Sequence, residues 1–224
     1  EDALVGSDVV LTSRFGADIA LVGDELMAGD EHDDEQGSDG GAAYAFEVVG
    51  GAFVEKQKFI GAEINGADYF GSALALDDSG QTLIVGSPTS GPLAGAAYVF
   101  NRTGQGGTWL QSQELLASDG GFPDGFGNAI GLDGDDAVIG SPMYAGAHGK
   151  AYFFERLAGT WVQMQIELPQ DQLSQGRFGS AAALAGNWAL IASPWLPNGG
   201  EVYAYEKQGG AWVYSDTLAP AVPA

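Results

Sequence analysis

The stretch "FGNAIGLDGDDAVIGSP" at residues 126–142 is one of four similar stretches, and their repetition indicates the fold class. The other copies are "FGADIALVGDELMAGDE" from Phe15, "FGSALALDDSGQTLIVGSP" from Phe70 and "FGSAAALAGNWALIASP" from Phe178. The phenylalanines that begin successive copies are 55, 56 and 52 residues apart. Self-similarity at a period of about 50 residues is typical of repeat architectures such as propellers. The repeat, rather than any single motif, is therefore the unit of structure.

Two further landmarks keep the same order in every copy. A Gly-x-x-Tyr-x-aromatic motif recurs as "GAAYAF" (41–46), "GAAYVF" (95–100), "GKAYFF" (149–154) and "GEVYAY" (200–205). An aromatic residue after a Gly-rich turn then follows, as Phe53, Trp109, Trp161 and Trp212. Alternating segments such as "SALAL" (72–76) predict strands, and tight turns separate four of them in each repeat.

Four short antiparallel strands per repeat predict an all-β protein, a β-propeller with four visible four-stranded blades. We expect a single domain over 1–224, with repeats at about 15–68, 70–124, 126–176 and 178–219. Residues 1–14 then correspond to the partial outer strand and linker of a preceding repeat. A β-sandwich with accidental similarity is the alternative, but it would not keep three landmarks in phase. The Phe-Gly pair itself is expected to be structural, since Gly allows close approach near the axis and Phe fills the gap between blades.

These landmarks resemble the FG-GAP repeat family, which includes the integrin α propeller, and they are most similar to its bacterial variants. The second landmark is Gly-Ser-Pro at 86–88 and 140–142, and Ala-Ser-Pro at 192–194. The resemblance implies a secreted or cell-surface bacterial protein without a catalytic centre of its own. Integrin-type repeats also carry a calcium loop between the first two strands, but the matching turns here, such as "DGDD" (133–136), are too short to surround an ion. Those calcium sites are therefore not transferred.

The charge of the chain excludes several partners. With 30 acidic and 8 basic residues the formal net charge is −22, which repels nucleic acid and anionic membrane surfaces. The chain contains no cysteine, so a disulfide framework and a thiolate site are excluded. No apolar run reaches the roughly 18–20 residues that span a bilayer, so membrane insertion is not expected. The N-terminal sequence is not a signal peptide, and a secreted protein would be in its processed form.

The first copy has the longest loop after its second strand, and this loop is strongly acidic. It replaces Ser-Pro with Asp30-Glu31 and continues as "HDDEQGSDGG" without Lys or Arg. A divalent cation would relieve the repulsion between so many carboxylates, which predicts a calcium site with Asp30, Asp33, Asp34 and Asp39 as ligands. The alternative is a solvated acidic loop on an acidic protein.

The equivalent loops of the other copies are expected on the same face, beside the acidic loop. They contain Tyr144, His148 and Trp195, which we predict to bind a carbohydrate or protein ligand. Local packing of Pro-rich loops is the alternative. The two histidines, His32 and His148, lie in different blades without a nucleophile nearby in sequence, so the chain is not expected to be an enzyme.

Two alternatives remain for the ring and for the function. The chain forms a closed four-bladed unit, which we favour, or it forms part of a larger ring completed by further sequence or another copy. Unpaired edges in the second case predict self-association. The favoured function is a secreted, non-enzymatic binding or adhesion module. The alternative is a structural subunit of an extracellular filament or surface layer that associates through strand edges.

Overall fold

The computed structural model describes residues 4–91, 94–170 and 175–220, and within these ranges sixteen strands form four antiparallel sheets. Each sheet has four strands that are hydrogen-bonded in chain order. The prediction of an all-β propeller with four-stranded blades is therefore confirmed. Residues 1–3 of the predicted partial strand lie outside the described residues.

Each blade lies inside one of the predicted repeats. Blade 1 contains β1 (Phe15–Val22), β2 (Glu25–Asp30), β3 (Ala42–Val49) and β4 (Ala52–Phe59). Blade 2 contains β5 (Ala73–Leu76), β6 (Thr82–Ser87), β7 (Ala96–Asn101) and β8 (Leu110–Leu115). Blade 3 contains β9 (Ala129–Asp133), β10 (Asp136–Ser141), the short turn α1 (Tyr144–Ala147), β11 (Lys150–Leu157) and β12 (Thr160–Glu167). Blade 4 contains β13 (Ala181–Ala185), β14 (Trp188–Ser193), β15 (Glu201–Gln208) and β16 (Ala211–Leu218).

The landmark residues fill the spaces between consecutive blades. One cluster joins Met27 and Phe59 of blade 1 to Phe70, Tyr98 and Trp109 of blade 2. Equivalent clusters join blade 2 to blade 3 and blade 3 to blade 4. The Phe, Tyr and Trp ladders are therefore packing residues between blades, as the repeat predicts.

A glutamine joins the outer strands at each of these junctions. The side-chain amide of Gln113 accepts a hydrogen bond from the Trp161 backbone N–H at 2.9 Å and donates to the Trp161 carbonyl at 2.7 Å. The same paired hydrogen bonds link Gln57 to Trp109 and Gln165 to Trp212. Each glutamine satisfies two backbone groups of the next blade and fixes the spacing of the outer strands.

The serine of the Ser-Pro landmark anchors the segment that leads into the blade. Ser87, Ser141 and Ser193 are fully buried, and each hydroxyl donates to the carbonyl two residues before the Phe-Gly pair. In blade 1 the same place holds Asp30, which instead accepts from the Arg14 backbone N–H at 2.8 Å. In blade 1 the Asp30 carboxylate thus holds the segment before Phe-Gly in place, as a serine hydroxyl does in blades 2, 3 and 4.

The outward faces of the first and last blades remain uncovered in the described structure. Ile19 and Leu21 on β1 are 62% and 60% exposed, whereas the equivalent Leu74 of blade 2 is 5% exposed. On blade 4, Trp188 is 47% and Leu190 is 38% exposed. The four blades therefore form an arc with two open end faces, and the favoured closed four-bladed ring does not match this burial.

Candidate ligand-binding face

The four predicted calcium ligands point to different partners instead of converging on one point. Asp30 is fully buried and bonds to Arg14, while its Oδ2 has no hydrogen-bond partner among the described residues. Asp34 accepts the Asp39 backbone N–H at 2.9 Å, which closes a turn of the loop. The Asp39 carboxylate lies 2.9 Å from His32 Nδ1. One orphan oxygen does not make a calcium cage, which needs six to eight oxygens.

Lys58 occupies the position that a cation would take in the acidic loop. Its Nζ lies 2.8 Å from Asp33, 2.6 Å from Asp8 and 2.8 Å from Glu35. Burial disfavours the ammonium charge, but hydrogen bonds to these carboxylates outweigh burial and raise the pKa of Lys58 above its ordinary value. The hydrogen bond from Lys58, followed by one from Tyr44, holds the pKa of Asp8 below its ordinary range.

No group of three or more Asp, Glu, His or Cys side chains able to hold a metal ion occurs in residues 4–91, 94–170 and 175–220. Lys58 lies on β4, outside the loop, so the loop sequence alone does not indicate it. Of the four predicted calcium ligands, Asp33 therefore bonds to a protein cation, whereas Asp30, Asp34 and Asp39 bond to other groups.

Tyr144 and His148, which the sequence predicts to bind a ligand, line one recess. Leu168 and Pro169, which follow β12, complete this recess of about 230 Å³. The Lys150 ammonium lies 3.5 Å from the centroid of the Tyr144 ring, and His148 Nδ1 lies 2.7 Å from the Ala145 carbonyl oxygen. The recess thus has an aromatic wall with a cation on one side.

Trp195, the third predicted ligand residue, lies at a second and larger recess on the other side of the same turn. This recess of about 420 Å³ is lined by Pro123, Met143, Gly146, Ala147, Gln175, Arg177 and Trp195. The Trp195 side chain is 65% exposed, and the Arg177 guanidinium carbon lies 4.7 Å from its ring centroid. One face of the indole is thus covered by a cation, in the manner of a cation–π pair.

The turn between the two recesses has a strained backbone. Ala145 and Ala147 have φ values of 49° and 76°, and Gly146 between them has φ 75°. Left-handed backbone at alanine costs about 1–2 kcal/mol per residue, so the surrounding structure must hold it in place. Hydrogen bonds do so: the Arg177 N–H donates to the Ala147 carbonyl at 2.9 Å, and the Met143 N–H donates to the Asp124 carbonyl at 3.0 Å.

The segments that lead into each Phe-Gly pair contribute residues that the sequence reasoning missed. Arg177 and Gln175 come from the segment before blade 4, and Pro123 comes from the segment before blade 3. Phe122 is 69% exposed beside them. The sequence prediction covered only the loops after the second strands, although the segments before Phe-Gly reach the same end of the blades.

The acidic loop of blade 1 contacts a different segment, the one that precedes blade 2. Its backbone carbonyls accept hydrogen bonds from the backbone N–H groups of Ala67, Tyr69 and Phe70.

Two comparisons based on sequence identify the repeats. Residues 53–100 and 109–154 match the FG-GAP repeat family. Integrin alpha-2 of Mus musculus is 32% identical over 141 residues, which cover 55% of this chain and 11% of that protein. The chain therefore spans only a small part of this curated relative.

A comparison of structures identifies a similar fold in a solved bacterial protein. A Bacteroides fragilis protein assigned as a 6-phosphogluconolactonase aligns with a TM-score of 0.64 at 15% identity, over 92% of this chain and 55% of that chain. This likeness contradicts the expectation that the chain is not an enzyme, because the same fold carries an assigned enzymatic function. At this identity the likeness shows the fold alone, and it transfers no lactonase chemistry to the present residues.

None of the helices in the described ranges is long and apolar enough to cross a bilayer.

Proposed function

Because residues 53–100 and 109–154 match the FG-GAP repeat family, we propose that the chain is a recognition module that binds an anionic carbohydrate at the Trp195 recess. The observation that carries this proposal is the exposed Trp195 indole with Arg177 against its face. A sugar ring presents C–H groups that stack on an indole, and a uronate carboxylate or sulfate would pair with the guanidinium. A chain with 8 basic residues and a net charge of −22 otherwise repels anions, so Arg177 provides a local exception.

The neighbouring recess extends the proposed ligand site. Tyr144 and His148 lie across the strained turn from Trp195 and line this recess. Two recesses separated by one turn suit successive units of an oligosaccharide better than a single small molecule. A secreted or cell-surface location in a bacterium belongs to the same proposal and is supported by the resemblance to FG-GAP repeats.

A protein ligand is the second candidate for this face. Met143, which lines the Trp195 recess, is 38% exposed, and Phe122, which precedes the lining residue Pro123 in sequence, is 69% exposed. Exposed apolar groups beside an aromatic anchor are typical of protein interfaces. Calcium through Asp30, Asp33, Asp34 and Asp39 is left out of the proposal, because the described residues bring no three metal-ligating side chains together.

Binding of acidic and neutral oligosaccharides would test the proposal. We expect fragments of polygalacturonate or alginate to bind in calorimetry with higher affinity than neutral cello-oligosaccharides, with and without calcium. Trp195→Ala and Arg177→Gln should each weaken acidic ligands by about tenfold or more. Trp188→Ala is the matched control, because this indole is also exposed but begins β14, whereas Trp195 follows its end. Equal affinity of wild type and Trp195→Ala, or no binding of any acidic glycan, would contradict the proposal.

A further inference from the structure

A recess of about 130 Å³ lies between blades 1 and 2, at the end of the blades opposite to the loops that follow the second strands. Blade 1 contributes Glu25 at the start of β2, and Glu47 and Lys56 on either side of the turn between β3 and β4. Blade 2 contributes Arg102, directly after β7, and the turn that leads to Trp109. The volume exceeds what a single water molecule needs, so the recess can hold a small organic molecule.

The turn on the blade 2 side of this recess is longer than its equivalents. From the cation after the third strand to the tryptophan of the same blade is seven positions in blade 2, from Arg102 to Trp109, but five positions in blades 3 and 4. The turn forms one wall of the recess through Gly106, Gly107 and Thr108. Because a shorter turn completes blades 3 and 4, the fold itself does not require the two added residues.

Glu25 and Arg102 form a buried ion pair that leaves hydrogen-bonding groups unsatisfied. Both side chains are 4% exposed, and Arg102 Nη2 lies 2.6 Å from Glu25 Oε2. Among the described residues, however, Glu25 Oε1 accepts no hydrogen bond, and no N–H of Arg102 Nη2 is aligned with an acceptor. A buried donor or acceptor without a partner carries the full cost of losing water. The recess therefore presents an unsatisfied acceptor beside an unsatisfied donor.

The equivalent cations at the other internal junctions are better satisfied. Between blades 3 and 4, Lys207 Nζ bonds to both carboxylate oxygens of Asp136, at 2.6 and 2.7 Å. Between blades 2 and 3, Arg156 bonds to Thr82 at 2.9 Å and to Asp135 at 2.6 Å. The unsatisfied pair thus belongs to the junction that also has the longer turn.

The charges around the recess favour a neutral ligand. Glu25 is paired with Arg102, and the more exposed Lys56 Nζ lies 3.2 Å from Glu47 Oε2, so these four side chains carry no net charge. A charged ligand would be buried there without a counter-charge, at a cost that a neutral molecule avoids. A primary carboxamide is neutral and offers a donor and an acceptor side by side. Its N–H would donate to Glu25 Oε1, and its carbonyl oxygen would accept from Arg102 Nη2.

The rest of the recess suits a short apolar group next to the amide. Ala45, Phe46 and Trp109 contribute apolar lining. The Arg102 guanidinium is held in place, because its Nε donates to the Gly80 carbonyl at 2.7 Å and its central carbon lies 4.6 Å from the Trp109 ring centroid. A donor that is already fixed loses little conformational entropy when a ligand binds.

We propose that the recess between blades 1 and 2 binds a primary carboxamide carried on a short apolar group. The same chemistry occurs in free small amides and in the side chains of Asn and Gln in a peptide. This inference does not depend on the ligand proposed for Trp195, which lies at the other end of the blades.

NMR titration of the isotope-labelled full chain with acetamide tests the proposal. We expect a Kd of about 1–10 mM, which is reasonable for a ligand of this size, with shifts of the Gly106 and Gly107 backbone N–H signals. N,N-Dimethylacetamide lacks the N–H donors, and acetate is charged and only accepts, so each should bind at least about tenfold more weakly. Equal binding of acetamide and N,N-dimethylacetamide would overturn the proposal. Tighter binding of glycine would also overturn it, because a zwitterion would then be the preferred ligand.

A peptide distinguishes the two sources of the amide. Binding of end-blocked Gly-Gln-Gly at least as tight as that of acetamide would indicate a glutamine side chain as the ligand. Binding of acetamide alone would indicate a free small amide. Both outcomes support a carboxamide site, whereas binding of neither compound would overturn it.

Two variants and a control locate the site on the chain. Replacing residues 103–107 with the Leu-Ala-Gly of the blade 3 turn removes one wall but keeps Arg102 and Trp109, and it should weaken acetamide binding at least about fivefold. Glu25→Gln places an N–H donor at the unsatisfied acceptor and should weaken binding about tenfold. Gln105→Ala, in the same turn but not lining the recess, should leave the Kd unchanged.

Thermal unfolding establishes which variants are folded. Glu25→Gln leaves the buried Arg102 charge without its carboxylate, so the turn replacement decides the test if Glu25→Gln does not fold. A folded turn variant that binds acetamide as tightly as the wild type would overturn the proposed location.

Discussion

The Lys58 ammonium donates to the Asp33 carboxylate at 2.8 Å, which links outer strand β4 to the acidic loop between β2 and β3. The Lys58 side chain is 15% exposed and the Asp33 side chain is 7% exposed. The Tyr44 hydroxyl, which donates its proton to Asp8 at 2.7 Å, also lies 3.2 Å from Asp33, and the Glu35 backbone N–H donates to Asp33 at 3.0 Å. A paired charge of this kind stabilises the loop only while both partners remain.

Removing Lys58 should destabilise the protein and create a dependence on calcium. Lys58→Gln leaves Asp8, Asp33 and Glu35 together without a cation, and we expect a loss of about 2–4 kcal/mol in the free energy of unfolding. Calcium should then raise the Tm of the variant by several degrees, whereas the wild-type Tm should change by less than about 1 °C. Thermal unfolding with calcium or with a chelator measures both effects.

The control for this experiment is Lys56→Gln. Lys56 lies two residues away, is 42% exposed and pairs with Glu47 at 3.2 Å. Its removal should cost less than about 1 kcal/mol and create no response to calcium. A wild-type Tm that rises strongly with calcium would contradict the assignment of Lys58 as the cation of the loop.

Glu167 should make the protein more stable in mild acid than at neutral pH. Burial raises its pKa above the ordinary 4.5, and a hydrogen bond from Gln165 offsets only part of this effect. Because the folded state then binds the proton more readily than the unfolded state, stability rises as pH falls from neutral toward about 4.5. Glu167→Gln should raise the free energy of unfolding at pH 7 and flatten its change over that range.

Asp8 and Asp119 should cause the opposite change at lower pH. Hydrogen bonds from Lys58 and Tyr44 lower the pKa of Asp8, and those from Lys150 and Tyr152 outweigh burial to lower the pKa of Asp119. Their contribution is present above pH 3.8 and is lost as the pH falls through the lowered values. Urea unfolding from pH 7 to 3 measures both parts of the curve.

The repeat made the fold predictable because each landmark has a local physical reason. Phe126, Tyr152 and Trp161 recur in phase since each must fill the same gap between blades. The calcium prediction did not anticipate Lys58, because its partner Asp33 is 25 residues away and only strand pairing brings them together. Arg177 was missed for a related reason: it precedes a landmark and becomes part of a recess only when blades 3 and 4 pack side by side. The prediction that Tyr144, His148 and Trp195 bind a ligand rests on the differences between copies of one scaffold, and it stays a prediction.

The glutamine at each blade junction should contribute more than an ordinary surface hydrogen bond. Gln113→Ala removes two hydrogen bonds to the Trp161 backbone and leaves an N–H and a carbonyl without their partners. We expect a loss of about 1–3 kcal/mol in the free energy of unfolding, measured by urea titration. Gln208→Ala is the control, because Gln208 is exposed and its side-chain amide donates to the Glu206 side chain of the same strand instead of to another blade. Equal losses in the two variants would contradict the role of Gln113 at the junction.

Close approach of blades, not turn geometry alone, should make the glycine of the Phe-Gly pair indispensable. Gly127 has φ 95°, and a Cβ there would lie 2.2 Å from the Ala96 carbonyl oxygen of the preceding blade. Gly134, in the turn between β9 and β10, also has positive φ, 56°, but no atom lies within 4 Å of its Cβ position. Gly134→Ala should therefore cost only the backbone strain of about 1–2 kcal/mol. Gly127→Ala adds a clash with rigid backbone and should cost more than about 4 kcal/mol or prevent folding. The comparison is made by thermal unfolding of both variants, and similar Tm values would show that the blades can separate enough to admit a methyl group.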